Sequence, residues 1–239
     1  MRYTPPGIRR RVVVRSKGRS RLVKQARAIA IREEKLLNEM KRNGRKMLRR
    51  SDFLWHILVE NAATLGSSRG YAGLIKTLEN YRRVEYSAAI RVPRVRLESH
   101  LSKALLAGKV RMPRQKARNL ARCLDLIEAL GGAARARKAA LSMPGTDAKI
   151  AFLKLFPGVG PKYARNTWMN VHHEDFRNTI AIDSRIQSIS DAMSVSFRSY
   201  EEHEAFYRDV ARDAGMDAWD LDRIMYRFRD EVLEAMSRG

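Results

Sequence analysis

Apolar residues recur every three or four positions along most of this chain, and no run of alternating β-branched residues marks a strand. The clearest helix follows Pro113, a residue that suits a first helical turn. Its apolar face carries Ala117, Leu120, Ala121, Leu124, Ile127 and Leu130. Gly131 and Gly132 then end the helix. Because good helix formers also dominate the composition, the sequence predicts an all-α protein.

The helical spacing of apolar residues also divides the 239 residues into segments. Residues 1–19 read as a basic arm, and residues 20–51 as one long basic helix that packs with a C-terminal lobe. Residues 52–173 should form a helical bundle, and residues 174–239 the C-terminal helical lobe. Further helices are expected at 52–64, 97–106, 147–156, 184–193, 200–215 and 217–237, with Thr146 capping the helix that starts at Asp147.

The charge is strongly positive, with 48 Lys and Arg against 26 Asp and Glu, a net charge of +22. Residues 1–50 hold 18 of the cations and only 3 of the anions, so about +15 lies in this fifth of the chain. Such a surface favours a polyanionic partner through phosphate neutralisation and counterion release. A basic tail that gives only nonspecific affinity for nucleic acid is the alternative.

The single cysteine, Cys123, excludes an internal disulfide, a four-cysteine zinc site and a four-cysteine iron–sulfur cluster. Its apolar helical setting predicts an inert core residue. No stretch is apolar for long enough to cross a bilayer, and the N-terminal Val-Val-Val is too short for a signal peptide. We therefore expect a cytoplasmic, nucleoid-associated protein without a membrane partner.

The segment Phe156-Pro-Gly-Val-Gly-Pro-Lys-Tyr-Ala164 predicts a tight turn between two helices, a hairpin over residues 147–172. Gly158 and Gly160 allow the turn and leave backbone N–H groups open to close approach. Pro161 suits the first turn of the following helix, whose partly positive N-terminus attracts an anion. This arrangement is a sequence-independent clamp for a DNA phosphate. A plain loop between helices is the alternative.

Two residues offer chemistry near this turn. Lys162 lies in the first turn of the second helix, where the helix end and the nearby cations disfavour the ammonium form and favour a nucleophilic amine. Asp183 follows in the phrase Ile-Ala-Ile-Asp-Ser-Arg-Ile, directly before a new helix. It suits an N-cap, and it also suits a carboxylate that steadies a cationic sugar or accepts a proton. A phosphate contact is the alternative for Lys162.

Together these phrases resemble the helix-hairpin-helix DNA glycosylase superfamily, in particular its endonuclease III and 8-oxoguanine glycosylase branches. That family has a Leu-Pro-Gly-Val-Gly-x-Lys-x-Ala hairpin and a downstream Val-Asp-x-His aspartate. The phrase Lys116-Ala-Arg-Asn-Leu120 resembles another family helix. The resemblance covers roughly residues 113–190, and residues 53–64 show a weaker similarity to another family helix.

The resemblance implies a two-lobed helical fold with a DNA-binding cleft between the lobes. It implies a bifunctional enzyme, in which Lys162 attacks C1′ of a flipped damaged nucleotide, a Schiff base forms, and β-elimination nicks the strand. Asp183 would assist. DNA contacts are expected from Gly158, Val159, Gly160, Lys116 and Arg185. Damaged duplex DNA is the expected partner of a monomer that requires no cofactor, although hairpin carbonyls in the family also hold a monovalent cation.

Several positions depart from the family pattern. The spacing from hairpin to aspartate is a few residues longer, and Arg185 replaces the family histidine. The C-terminal four-cysteine cluster is missing. Ala62 stands where endonuclease III places a gap-filling glutamine, with Glu60 and Asn61 beside it. The resemblance therefore does not identify the base-recognition pocket or the base.

Other residues invite a functional interpretation. The run His172-His-Glu-Asp175 contains metal-ligand types, but adjacent side chains point apart and lack i, i+4 partners, so we expect no metal site. Trp55, Tyr71 and Trp168 are candidates for base stacking or for the core, and His56 for the core or a pocket. The basic run 91–118 is expected to contact phosphates.

Two further functions are compatible with the sequence. One is a monofunctional glycosylase, in which water attacks and Lys162 only contacts phosphate. The other is a non-enzymatic DNA- or RNA-binding module that uses the hairpin and the basic arm.

Overall fold

The computed structural model describes residues 6–64 and 68–237, and within them every regular element is helical. Residues 1–5 of the basic arm lie outside the described residues. The helices are α1 Pro6–Arg32, α2 Glu34–Leu48, α3 Phe53–Thr64, α4 Ser68–Gly70, α5 Leu78–Arg82, α6 Tyr86–Ala89, α7 Arg94–Ala107, α8 Pro113–Ala129, α9 Ala133–Ser142, α10 Gly145–Lys154, α11 Pro161–Asn170, α12 Ser184–Ala192, α13 Tyr200–Ala214, α14 Ala218–Arg227 and α15 Arg229–Ser237. A π-helical turn, Tyr71–Ile75, follows α4, and a 3₁₀ turn, Glu174–Phe176, precedes α12.

The chain forms two compact units. The first contains Met1–Arg45 and Met169–Gly239, and the second contains Lys46–Trp168. None of the helices within the described ranges combines the length and apolarity that crossing a bilayer requires.

In the first unit, α1 packs against α13, α14 and α15. Its residues Leu22, Ala26 and Ile29 are fully buried, as their helical spacing predicts. The basic side chains that flank this stripe bind acidic and carbonyl groups. Arg32 pairs with Glu231 at 2.8 Å, and the Arg27 guanidinium donates to the carbonyl oxygen of Asp213 at 2.8 Å, near the end of α13. Part of the N-terminal positive charge is therefore used inside this unit.

In the second unit, α3 packs against α8 and α9 and is buried along most of its length. Trp55 and Trp168 are fully buried, so both belong to the core rather than to a stacking surface. The Trp55 indole N–H donates to the carbonyl oxygen of Val84, and that of Trp168 to the carbonyl oxygen of Lys149. The second bond joins α11 to α10 across the hairpin.

Cys123 in α8 is an inert core residue, as predicted. Its side chain is 1% exposed, and burial raises the pKa of its thiol to about 12. The thiol donates to the carbonyl oxygen of Pro157 at 3.5 Å, so α8 packs directly against the hairpin turn.

Three expected helix boundaries are wrong. The single helix expected over 20–51 begins at Pro6, inside the expected arm, and is divided at Glu33 into α1 and α2, although i to i−4 hydrogen bonds continue on both sides of that residue. The helix expected over 217–237 is divided at Phe228, whose backbone (φ −113°, ψ 30°) leaves the helical region. Thr146 lies inside α10, which begins one residue earlier and has no side-chain cap.

His56 in α3 provides a pH-dependent test of this core. Its ring is 6% exposed, and its Nδ1 lies 2.5 Å from the Tyr81 hydroxyl. Burial, followed by the charge of Arg50, lowers the pKa of His56 from 6.5 to about 4. The unfolded chain therefore takes up a proton near pH 6.5, while the folded chain takes it up only near pH 4.

We expect the free energy of unfolding to fall as the pH drops from 6.5 toward 4, at about 1.4 kcal/mol per pH unit from this group. Denaturant titrations across this range measure the slope. In His56→Asn that contribution should disappear, and an unchanged slope would show that His56 is not protonated on unfolding.

Candidate active site

The hairpin turn lies between α10 and α11 and depends on Gly158. This residue has φ +88°, a left-handed conformation that glycine adopts without strain. An added Cβ would lie 2.9 Å from the side-chain nitrogen of Asn119 in α8. The turn therefore favours glycine at this position for its backbone conformation, and a larger residue would also displace the Asn119 side chain.

Gly160 provides the start of α11. Its carbonyl oxygen accepts the first helical hydrogen bond, from the Ala164 amide at 3.0 Å. Pro161 has no N–H, and helix geometry leaves the amides of Lys162 and Tyr163 without an acceptor inside the helix. An added Cβ at Gly160 would meet nothing within 4 Å. The predicted phosphate clamp thus has an open backbone and a helix N-terminus at the expected residues.

Lys162 lies in the first turn of α11, as predicted, and it is exposed. The neighbouring Tyr163 is half-buried, and burial raises its pKa. An exposed amine next to open backbone amides can reach a ligand that these amides hold.

A small cavity of about 30 Å³ lies behind the turn, within the second unit. The hairpin contributes Gly158, Val159 and Tyr163 to its wall. Helix α8 contributes Lys116 and Asn119, and α3 contributes Asn61 and Ala62. The resemblance to family helices at 53–64 and 116–120 thus falls on residues that surround the hairpin.

Lys116, which the sequence analysis expects to contact DNA, is buried in the structure. Only 4% of the residue is exposed, and burial, followed by the charge of Arg111, lowers the pKa of its amine. Lys116 therefore lines the cavity and is largely shielded from solvent. Sequence spacing cannot show whether a lysine at this position is exposed or buried, because its burial depends on the packing of α8 against the hairpin.

Asn61 also has a structural partner. Its side-chain amide donates to the Thr167 hydroxyl at 3.2 Å, which links α3 to α11. Beside it, burial raises the pKa of the Glu60 carboxyl.

In the first unit, Asp183 is the N-cap of α12. Its Oδ1 accepts the amide N–H groups of Arg185 at 2.9 Å and Ile186 at 3.2 Å. Its Oδ2 lies 3.3 Å from Nη1 of Arg185. The predicted cap is confirmed, and it fixes the direction of the carboxylate because both amides hold the same oxygen.

Arg185 connects Asp183 to an aromatic side chain. Its guanidinium carbon lies 4.2 Å from the ring centroid of Tyr226, which is 52% exposed. A guanidinium between a carboxylate and an aromatic face is held in one orientation. The sequence singled out Arg185, whereas Tyr226 is 41 residues away and carries no local signal.

Three further residues hold the segment before Asp183, and the sequence alone did not indicate them. Glu204, Asp222 and Tyr200 each bind a backbone group of residues 180–182. They lie on α13 and α14, 18 to 41 residues from the groups they bind.

The histidine pair has separate structural roles. The His172 ring packs edge-on against Trp219 with centroids 4.7 Å apart, and Nδ1 of His173 accepts the Asp175 amide. In the described part of the chain, no three His, Cys, Asp or Glu residues are grouped for a metal ion.

The described residues form an all-helical fold with a glycine hairpin between α10 and α11, which confirms the predicted all-α class. No family model matches the chain, and no curated protein matches it. Among solved structures, the chain is similar to the 8-oxoguanine DNA glycosylase of Thermotoga maritima, with a TM-score of 0.65 and 15% identity. The match covers 88% of this chain and 96% of that one.

Two structures from Methanocaldococcus jannaschii give the same result. Its 8-oxoguanine DNA glycosylase matches with a TM-score of 0.64 and 17% identity, over 88% of this chain and 94% of that one. Its 8-oxoguanine glycosylase/lyase, bound to a 15mer DNA containing 8-oxoguanine, matches with a TM-score of 0.64 and 16% identity, over 88% and 97%. This likeness establishes the fold.

The two hairpin glycines make a matched pair for a test of the turn. Gly158→Ala should lower the free energy of unfolding by about 1–2 kcal/mol, because alanine is strained in the left-handed region. Gly160→Ala should have little effect, because its Cβ enters open space. Thermal unfolding of both variants measures the difference, and equal effects would contradict the role assigned to Gly158.

Proposed function

We propose that this protein is a DNA base-excision glycosylase with AP lyase activity. The observation that carries the proposal is the exposed Lys162 on the first turn of α11, directly after the Gly158–Gly160 turn. The fold likeness to three 8-oxoguanine glycosylase structures supports it.

In this proposal the hairpin binds the DNA backbone without reading the bases. A phosphate oxygen accepts N–H groups of the turn and of the first turn of α11, and Gly160 admits it because no side chain intervenes. The basic surface adds affinity that falls with salt. Arg185 and the amides around Val159 also contact DNA.

The chemistry requires a flipped nucleotide, because stacking shields the glycosidic bond in a duplex. The neutral amine of Lys162 attacks C1′, the bond from C1′ to the base breaks, and the base leaves with a proton from the amine. The ring oxygen O4′ then takes up a proton and the C1′–O4′ bond breaks, which leaves a protonated Schiff base between Lys162 and C1′. Loss of a C2′ proton expels the 3′ phosphate, and this β-elimination breaks the strand on the 3′ side. Asp183 stabilises positive charge on the sugar in this scheme.

8-Oxoguanine is the substrate we propose to test first, since all three similar structures are of glycosylases named for this base. Damaged bases also cost less to extrude, which provides part of the selectivity. A panel of duplexes with oxidised, deaminated, mismatched and alkylated bases then defines the range.

Borohydride trapping tests the nucleophile. Wild-type protein with 8-oxoguanine duplex should give a covalent adduct, and Lys162→Ala should give none and excise the base at least about 10²-fold more slowly. Lys154→Ala is the matched control, since it removes another exposed lysine from the same hairpin. Base release by wild type without an adduct or a nick would instead indicate a monofunctional glycosylase.

Asp183→Asn separates the cap from the chemistry. Asparagine caps a helix as well as aspartate does, so thermal stability should change little, whereas the excision rate should fall by about 10²-fold or more. Asp183→Ala should lose both activity and about 1 kcal/mol of stability. If Asp183→Asn retains full activity, its carboxylate is only a cap.

A further inference from the structure

The segment that leads into Asp183 is held by side chains rather than by regular secondary structure. The Ile180 amide donates to Glu204 at 3.0 Å, the Ala181 amide to Asp222 at 2.9 Å, and the Ile182 amide to the Tyr200 hydroxyl at 3.4 Å. Tyr200 also donates its hydroxyl to the Ile180 carbonyl oxygen at 3.1 Å. Three successive amides are thus fixed by three side chains from α13 and α14.

Asp222 is the most deeply buried of these partners. Only 5% of the residue is exposed, and its Oδ2 lies 3.2 Å from Nη2 of Arg223. Burial raises the pKa of its carboxyl, although the Arg223 charge and the hydrogen bond from the Ala181 amide oppose this shift. A buried carboxylate is costly, and its contacts with Arg223 and with the Ala181 amide offset part of that cost.

Ala181, whose amide Asp222 binds, lies next to the candidate active site. Asp183 is two residues further along the chain, and its own Oδ1 is fixed by the first amides of α12. The backbone is therefore held on both sides of Asp183, by Asp222 and its neighbours before it and by the cap after it. A small rotation at residues 181–182 would move the carboxylate, and a misplacement of about 1 Å can cost about 10²-fold in rate.

We infer that Asp222 is a positioning residue for Asp183, and that Tyr200 and Glu204 complete the same support. This inference rests on the proposed function, since it assigns Asp183 a part in base excision. Asp222 acts through the backbone of residues 180–182 and not on the substrate.

The test compares Asp222→Ala, which removes the acceptor, with Asp222→Asn, which retains an oxygen for the Ala181 amide. We expect Asp222→Ala to lower the single-turnover excision rate of 8-oxoguanine duplex by about 10²-fold while the duplex Kd changes by less than about twofold. Asp222→Asn should stay within about threefold of wild type, because the amide remains held. Asp230→Ala is the matched control, since Asp230 is exposed on α15.

Hydrogen exchange of the Ala181 amide, followed by NMR, gives a readout that does not depend on activity. It should be faster in Asp222→Ala and close to wild type in Asp222→Asn and Asp230→Ala. If wild-type protein excises no base from any duplex, the proposed function fails, while the exchange data still decide whether Asp222 holds the segment.

If Asp222→Ala does not fold, Tyr200→Phe provides a second test of the same support. The Tyr200 side chain is 38% exposed, so the loss of its hydroxyl should leave the fold intact. We expect an excision rate lower by about tenfold with an unchanged duplex Kd, because the hydroxyl makes two hydrogen bonds to the segment. Full activity in Tyr200→Phe and Asp222→Ala, or equal loss in Asp222→Asn and Asp222→Ala, would overturn the inference.

Discussion

The left-handed backbone at Gly158 determines where α11 begins, and the rest of the hairpin depends on it. The turn brings the chain from α10 into α11 within six residues. Lys162 therefore lies directly after a turn whose backbone amides are open to a ligand. Helix α8 supports the turn from behind, through Asn119 and through the hydrogen bond from Cys123 to Pro157. A side chain at position 158 would disturb both the backbone and this support.

Asp183 depends on a different kind of support. A helix cap alone fixes one oxygen of the carboxylate, but the chain before the cap has no regular hydrogen bonds of its own. Side chains on α13 and α14, among them the buried Asp222, supply these bonds instead. Polar groups that are kept out of water at such cost usually rigidify the backbone that they bind.

The positive charge of the N-terminal region has two uses. Some of its cations pair within the first unit, as Arg32 does with Glu231 and Lys41 with Asp220 at 2.7 Å. The apolar stripe of Leu22, Ala26 and Ile29 sets the position of α1, and these ion pairs add to its packing. Under the proposed function, the rest of the excess attracts the DNA backbone, the use that composition alone suggests.

The sequence by itself determined the all-α class, the hairpin turn, the start of α11 at Pro161 and the cap at Asp183. These features depend on interactions within one or two helical turns, so spacing and residue type are enough to predict them. Only the tertiary structure decided that Lys116 lies in a cavity wall, that Tyr226 stacks on Arg185, and that Asp222 binds the Ala181 amide. Each of these depends on contacts between residues far apart in the chain, and a buried aspartate on α14 has the same local pattern as an exposed one.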